Sequence, residues 1–176
     1  MLKNIIILLL IGALAFFLVS TKTTQKNNEE KTVDKPANTT TTLNDSAKEE
    51  PNGETLNLSG QNLDKLPSYV LNKTSLEVLD ISNNNLTGAL PAEIRHLSNL
   101  HVLDASNNQM TGVPAEVGQL KNLEVLNLAN NKLTGLPYEL GNLKNLKKLD
   151  LSGNAYSEQD LNIIKQGLPA NVEIVY

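Results

Sequence analysis

LEVLDISNNNLTGALPAEI, residues 76–94, places Leu76, Leu79, Ile81 and Leu86 at steps of three, two and five, with Asn84 among them. A helix repeats every 3.6 residues and a strand every two, and neither period covers this spacing. Nearly the same string returns as LHVLDASNNQM at Leu100, LEVLNLANNKL at Leu123 and LKKLDLSGNAY at Leu146. The steps between copies are 24, 23 and 23 residues. An incomplete copy, TLNLSGQNL from Thr55, comes first and carries Gln61 where Asn is expected. The closing NVEIVY offers Val172 and Ile174 at the two strand-core positions. A fixed period near 23 marks a stacked solenoid.

Between the copies a second motif recurs: LPSYV at 66, LPAEI at 90, VPAEV at 113 and LPYEL at 136. Three residues further on stand Leu97, Leu120 and Leu143. Leu79 and Ile81 alternate around Asp80, so they face inward from a short strand while Asp80 faces outward. Equivalent strands pair in parallel because every return path crosses the same side. The return path carries Pro, which sets φ at a turn but cannot continue a ladder, so helical or 3-10 pieces are expected there. After each strand the backbone bends into a core without water. Asn84, Asn108, Asn131 and Asn154 each bring two donors and an acceptor to that bend and are expected to form a stacked asparagine ladder.

The combined pattern resembles the leucine-rich repeat family over residues 54–176. LTGALP is similar to the extracellular plant-receptor variant, and LPAEVGQLKNL to the 23-residue type common in bacterial and intracellular proteins. The resemblance implies an α/β solenoid shaped as a horseshoe, with a parallel β-sheet on the concave face and short helices or 3-10 turns on the convex face. Open solenoid ends expose core and sheet edges. At the C-terminus residues 157–176 are expected to act as a cap. Ser157 can cap a helix with Asp160 three residues on, Leu161, Ile164 and Leu168 form its apolar stripe, and Gly167 can end it. The close of the domain is expected there.

Two further regions precede the repeats. In residues 1–21 Lys3 is followed by the apolar run Ile5 to Val19, with no charge before Lys22. This is an export signal or a retained transmembrane anchor. As helix, the uncharged stretch spans about 27 Å against about 30 Å for a bilayer core. Residues 22–53 are rich in Thr, Lys, Asn and Glu and too polar to offset their ordering entropy, so they read as a disordered linker. Asn38 and Asn44 begin N-x-Thr/Ser sequons. The predicted localisation is therefore extracytoplasmic: anchored if the first segment stays, secreted if it is cleaved.

Charge and composition narrow the function. Of the net −4, none arises in residues 1–53, which hold six basic and six acidic residues; residues 54–176 hold nine and thirteen. Nucleic acid needs a basic face to neutralise phosphates and is not an expected partner. The absence of Cys removes disulfides, thiolate metal sites and a thiol nucleophile. His96 and His101 are expected on opposite faces, and the serines belong to the repeat, so no nucleophile, base and orienting group converge. Gly88, Gly112 and Gly135 recur as turn residues rather than as a phosphate loop. Neither catalysis nor a cofactor is expected.

The outward strand positions define the candidate surface. One column reads Thr55, Val78, Val102, Val125, Lys148 and Asn171. The next reads Asn57, Asp80, Asp104, Asn127, Asp150 and Glu173, and a third Ser59, Ser82, Ser106, Ala129, Ser152 and Val175. In the second column Asp80 beside Asp104, and Asp150 beside Glu173, would be like-charge neighbours, which suits a basic partner better than a metal. His101, between Glu77 and Glu124, is a rim histidine whose neighbours would favour its charged form. The function read from these positions is a non-catalytic interaction module that binds a protein or peptide on its concave sheet. The contact residues are Val78, Asp80, Val102, Asp104, Val125, Asn127, Lys148 and Asp150. The alternative is a cell-surface or cell-wall component, structural or adhesive through glycan binding; glycan recognition would need aromatic platforms, and Tyr176 alone is expected near the concave side, with Tyr69 and Tyr138 behind it.

Overall fold

The computed structural model describes residues 53–176. The expected signal or anchor (1–21) and all of the linker (22–53) except Gly53 lie outside the described residues. Six strands make one parallel sheet in the order β1 (Glu54–Asn57), β2 (Leu76–Asp80), β4 (Val102–Asp104), β6 (Val125–Asn127), β7 (Lys148–Asp150) and β8 (Glu173–Val175). Each sits beside the strand one repeat away, so Leu56, Leu79, Leu103, Leu126, Leu149 and Ile174 align across the sheet. A second, two-stranded parallel sheet, β3 (Thr87–Gly88) with β5 (Gln109–Met110), lies at the LTGALP segment and its neighbour. That small sheet was not anticipated from the sequence.

Behind the main sheet the first four turns return through a 3-10 segment: Ser68–Asn72, Ala92–His96, Ala115–Gln119 and Tyr138–Asn142. Pro67, Pro91, Pro114 and Pro137 stand just before them with φ between −60° and −71°. The pyrrolidine ring fixes that angle in advance and wastes no N–H where none would be bonded. Between sheet and return path lies the aliphatic interior. Leu76, Leu79, Ile81, Ile94 and Leu97 are fully buried in one turn, and Leu123, Leu126, Leu128, Val117 and Leu120 repeat the set. Each such side chain contributes about 1.5–3 kcal/mol relative to exposure.

The bend after each strand uses two adjacent residues. Gly60, Asn83, Asn107, Asn130 and Gly153 hold φ between +53° and +70°. Glycine adopts this left-handed conformation freely, and Asn is among the few other residues that tolerate it. The residue after each is the ladder position. Asn108 Nδ2 reaches the carbonyls of Ala105 and Ser106 in its own turn, both at 3.1 Å, and of Ile81 in the preceding turn at 3.0 Å. Its Oδ1 accepts the Leu86 N–H at 3.0 Å. Asn84, Asn131 and Asn154 repeat the arrangement. The rungs are thus amide-to-backbone bonds that join neighbouring turns, rather than amides bonded to one another. Gln61 stays exposed, and its N–H donates to Asn84 Oδ1 at 2.9 Å.

The C-terminal segment packs against the last turn. Helix α1 (Glu158–Gly167) is capped by Ser157, whose side chain accepts the Asp160 N–H at 3.4 Å, and buries Leu161 and Ile164. Gly167 does not end the helix in a left-handed conformation; the cap residue is Leu168, in extended backbone. Gly167 is needed for contact, since a Cβ there would lie 2.6 Å from the Gly141 carbonyl oxygen. Of the recurring Gly88, Gly112 and Gly135, only Gly88 has positive φ. At the first strand, hydrogen bonds from Lys73 and then Ser75 hold the Glu54 carboxyl below its ordinary range. Burial pushes the Tyr156 phenol up.

Replacing Asn108 by Leu strands the Leu86 N–H in an apolar bend and takes from the Ile81 and Ala105 carbonyls one of the two amide donors that each has. Urea melts should show a loss of about 2–3 kcal/mol; unchanged stability would mean that the bend does not depend on the amide.

Candidate functional site

The outward positions of the sheet form the concave face. β2, β4, β6 and β7 follow the expected columns, with Val78, Val102, Val125 and Lys148 in one row and Asp80, Asp104, Asn127 and Asp150 in the next. All eight side chains are half-buried. β8 departs from the expected register by two residues. Glu173 lies beside Lys148 and Val175 beside Asp150, so Asp150 and Glu173 are not neighbours. The register that forms places Glu173 against Lys148 as an ion pair at 3.5 Å. It also puts Ile174 opposite Leu149, leaving Val172 half-buried ahead of the strand. Apolar alternation alone fits either register; the ion pair favours this one.

The acidic row is tied to its own backbone. Asp80 Oδ1 accepts the Ser82 N–H at 2.9 Å. Asp104 Oδ1 accepts both the N–H and the hydroxyl of Ser106, at 2.9 and 2.6 Å, and Asp150 does the same with Ser152 at 3.0 and 2.7 Å. Asn57 and Asn127 fill the same role for Ser59 and Ala129. A side-chain oxygen bonded two residues on makes a local turn that closes each strand. Asn127 also donates Nδ2 to Asp104 Oδ2 at 3.0 Å and separates that carboxylate from Asp150. Asp80 and Asp104 are therefore the one like-charge pair left side by side in this row.

Ahead of the valine row runs a rim in which His101 bonds through its backbone to Glu77 and Glu124, both at 2.8 Å. Glu124 is paired with Lys147 at 2.7 Å rather than with the imidazole. His101 Nδ1 is buried and has no hydrogen-bond partner among the described residues. Beyond the acidic row the serines and left-handed asparagines make a hydroxyl and amide edge. Ser59 and Ser82 hydroxyls are 2.9 Å apart, and Asn130 Nδ2 donates to Asn107 Oδ1 at 3.0 Å. Sequence reasoning found the inner asparagine of each pair and missed the outer one. The doubled Asn of SNNN, SNNQ and ANNK was the available signal.

The face can present a fixed mixture of methyl groups, carboxylates and hydroxyls. Among the described residues no three His, Asp or Glu side chains are gathered to hold a metal. Tyr69 and Tyr138, each about half exposed, stand on the convex 3-10 segments, and Tyr176 lies under Lys165, 4.8 Å from its Nζ. Among the described residues no helix is long and apolar enough to cross a membrane.

Comparison with known proteins agrees with this geometry. Residues 54–168 match the family model described as leucine-rich repeat region. A Leptospira interrogans leucine-rich repeat protein is 43% identical, with a TM-score of 0.59 over 64% of this chain and 28% of that one. The BIR3–SERK2 complex from Arabidopsis thaliana is 31% identical, with a TM-score of 0.56 over 68% of this chain and 65% of that one. The plant peptide hormone receptor RGFR1 in complex with RGF2 is 30% identical, with a TM-score of 0.52 over 62% and 19%. The chain thus spans less than two thirds of each of these structures. A comparison with curated proteins found no match. The period, the asparagine bends and the matched region agree: the chain belongs to the leucine-rich repeat family.

Proposed function

We propose that the protein is a non-catalytic recognition module that binds a protein or peptide segment on its concave sheet. The observation that carries this reading is the rigidity of the face. Each outward carboxylate or amide from Asn57 to Asp150 is already bonded to its own backbone, so its position is set before any partner arrives. A pre-ordered surface loses little conformational entropy on docking, and more of the contact energy appears as affinity. The valine row offers apolar contact across three adjacent strands. Two of the similar structures support the reading by analogy, one a complex of two proteins and one a peptide hormone receptor with RGF2. The residues assigned to contact are Val78, Asp80, Val102, Asp104, Val125, Asn127, Lys148 and Asp150.

A photo-crosslinking side chain placed at Val102 in the full chain, in its host, should give discrete adducts with a polypeptide. The same group at the exposed convex residue Tyr138 should not. Adducts from Tyr138 alone would move the binding surface to the other side of the solenoid.

We further propose that the module works outside the cytoplasm, tethered through residues 22–53. Support comes from the apolar run Ile5 to Val19 behind Lys3 and from the ectodomains of plant receptors among the similar structures. Cell fractionation with N-terminal sequencing tests this. A chain starting at Met1 in the membrane fraction indicates an anchor, and one starting near residue 22 outside the cytoplasm indicates a cleaved signal. An intact chain in the cytoplasm overturns export.

A further inference from the structure

We infer that the segment taken by the concave face is an extended cationic stretch of polypeptide, with two basic side chains about four residues apart and small apolar ones between them. This rests on the concave-face reading and deepens it. The face and its rim hold six carboxylates, Glu77, Asp80, Asp104, Glu124, Asp150 and Glu173, against Lys147 and Lys148. The remainder of residues 54–176 holds seven acidic and seven basic side chains. The whole negative excess of the repeats therefore lies on one face.

The two lysines do not offset the acidic row, because each is engaged elsewhere: Lys147 with Glu124 at 2.7 Å and Lys148 with Glu173 at 3.5 Å. Within the row, Asp104 has both oxygens occupied, by Ser106 and by Asn127. Asp80 and Asp150 each use only Oδ1, and their Oδ2 atoms have no hydrogen-bond or ion-pair partner among the described residues. Asp80 and Asp150 are three strand steps apart in register. At about 4.8 Å per step that separation is about 14 Å, and an extended chain crossing the strands covers it in about four residues. Between them in the row stand Asp104 and Asn127, already bonded to each other, and alongside runs the row of half-buried Val78, Val102 and Val125, which favours small apolar side chains over further charges.

Other occupants fit less well. A hard cation wants six or more oxygens converging at about 2.4 Å; Asp80 and Asp150, about 14 Å apart, cannot converge, and Asp104 beside Asp80 has both oxygens already bonded. A second copy would bring one acidic face against another, which is repulsive.

The test titrates the full isotope-labelled chain with the peptide Ac-Lys-Thr-Val-Thr-Lys-NH2 and with its Gln and Glu counterparts. Backbone NMR shifts give the contact surface and the affinity. The Lys peptide should move the amides of Val78, Val102 and Val125, the Gln peptide should bind more weakly, and the Glu peptide should not bind. The double variant Asp80→Asn, Asp150→Asn keeps the acceptor for Ser82 and Ser152, as Asn57 and Asn127 do for their own turns, and so preserves the fold. It should lower affinity for the Lys peptide about three- to tenfold, with added salt acting in the same direction. Equal binding of all three peptides at the valines, or an undiminished affinity in the double variant, would overturn the cationic partner and leave concave docking standing. Binding of none of them would also overturn the cationic partner alone. Shifts confined to the convex segments would overturn both.

Discussion

Each bend of this chain points backbone N–H and C=O groups into an interior built of leucine, isoleucine, valine and alanine. Unbonded there, each such group would cost about 1–3 kcal/mol. One asparagine amide per turn meets that need twice over, bonding its own bend and the bend before it. Successive turns are thereby locked at one spacing, and the spacing sets everything else: the parallel register of the strands, the stacking of the 3-10 segments and the rows on the concave face. A leucine core alone specifies burial but not register. The polar bonds specify which turn follows which.

Much of this was legible in the sequence because the constraint repeats. The positions of Leu79, Ile81 and Asn84 return three more times at nearly constant steps, so strands, core and inner asparagines could be placed by period alone. Legibility failed where the period ends or a constraint lies in backbone conformation. NVEIVY carries two apolar residues that satisfy either of two registers. The register that forms sets Glu173 beside Lys148, 25 positions earlier in the chain, rather than beside Asp150. Gly167 reads as a helix stop from its place in the sequence, yet its reason is the approach of Gly141 from the preceding turn. The outer asparagines at 83, 107 and 130 answer a demand for left-handed backbone that no hydropathy pattern shows.

The candidate site was legible as a list of positions and less so as chemistry. Spacing placed Asp80, Asp104 and Asp150 on the concave side, but it did not show that each closes its own strand through a bond to the backbone two residues on. Those bonds explain why Asn and Asp alternate freely in this row: either supplies the oxygen that the turn needs. The fold thus fixes an acceptor at every position and leaves the charge to be chosen turn by turn. In this protein the choice yields carboxylates at three of the four contact strands and an amide between two of them. The same group that holds the strand end also sets the electrostatics of the surface.

The amide hydrogens of Leu86, Met110 and Leu133 report directly on the inter-turn bonds, because each donates to the asparagine of the following turn at 3.0 Å. In native-state hydrogen exchange on the full chain, all three should exchange only through opening of the whole repeat array, with protection equal to that of the core strand amides. Exchange at the rate of exposed loop amides, with the strands still protected, would show that the turns hold together without the asparagine rungs and would contradict the physical basis given for this fold.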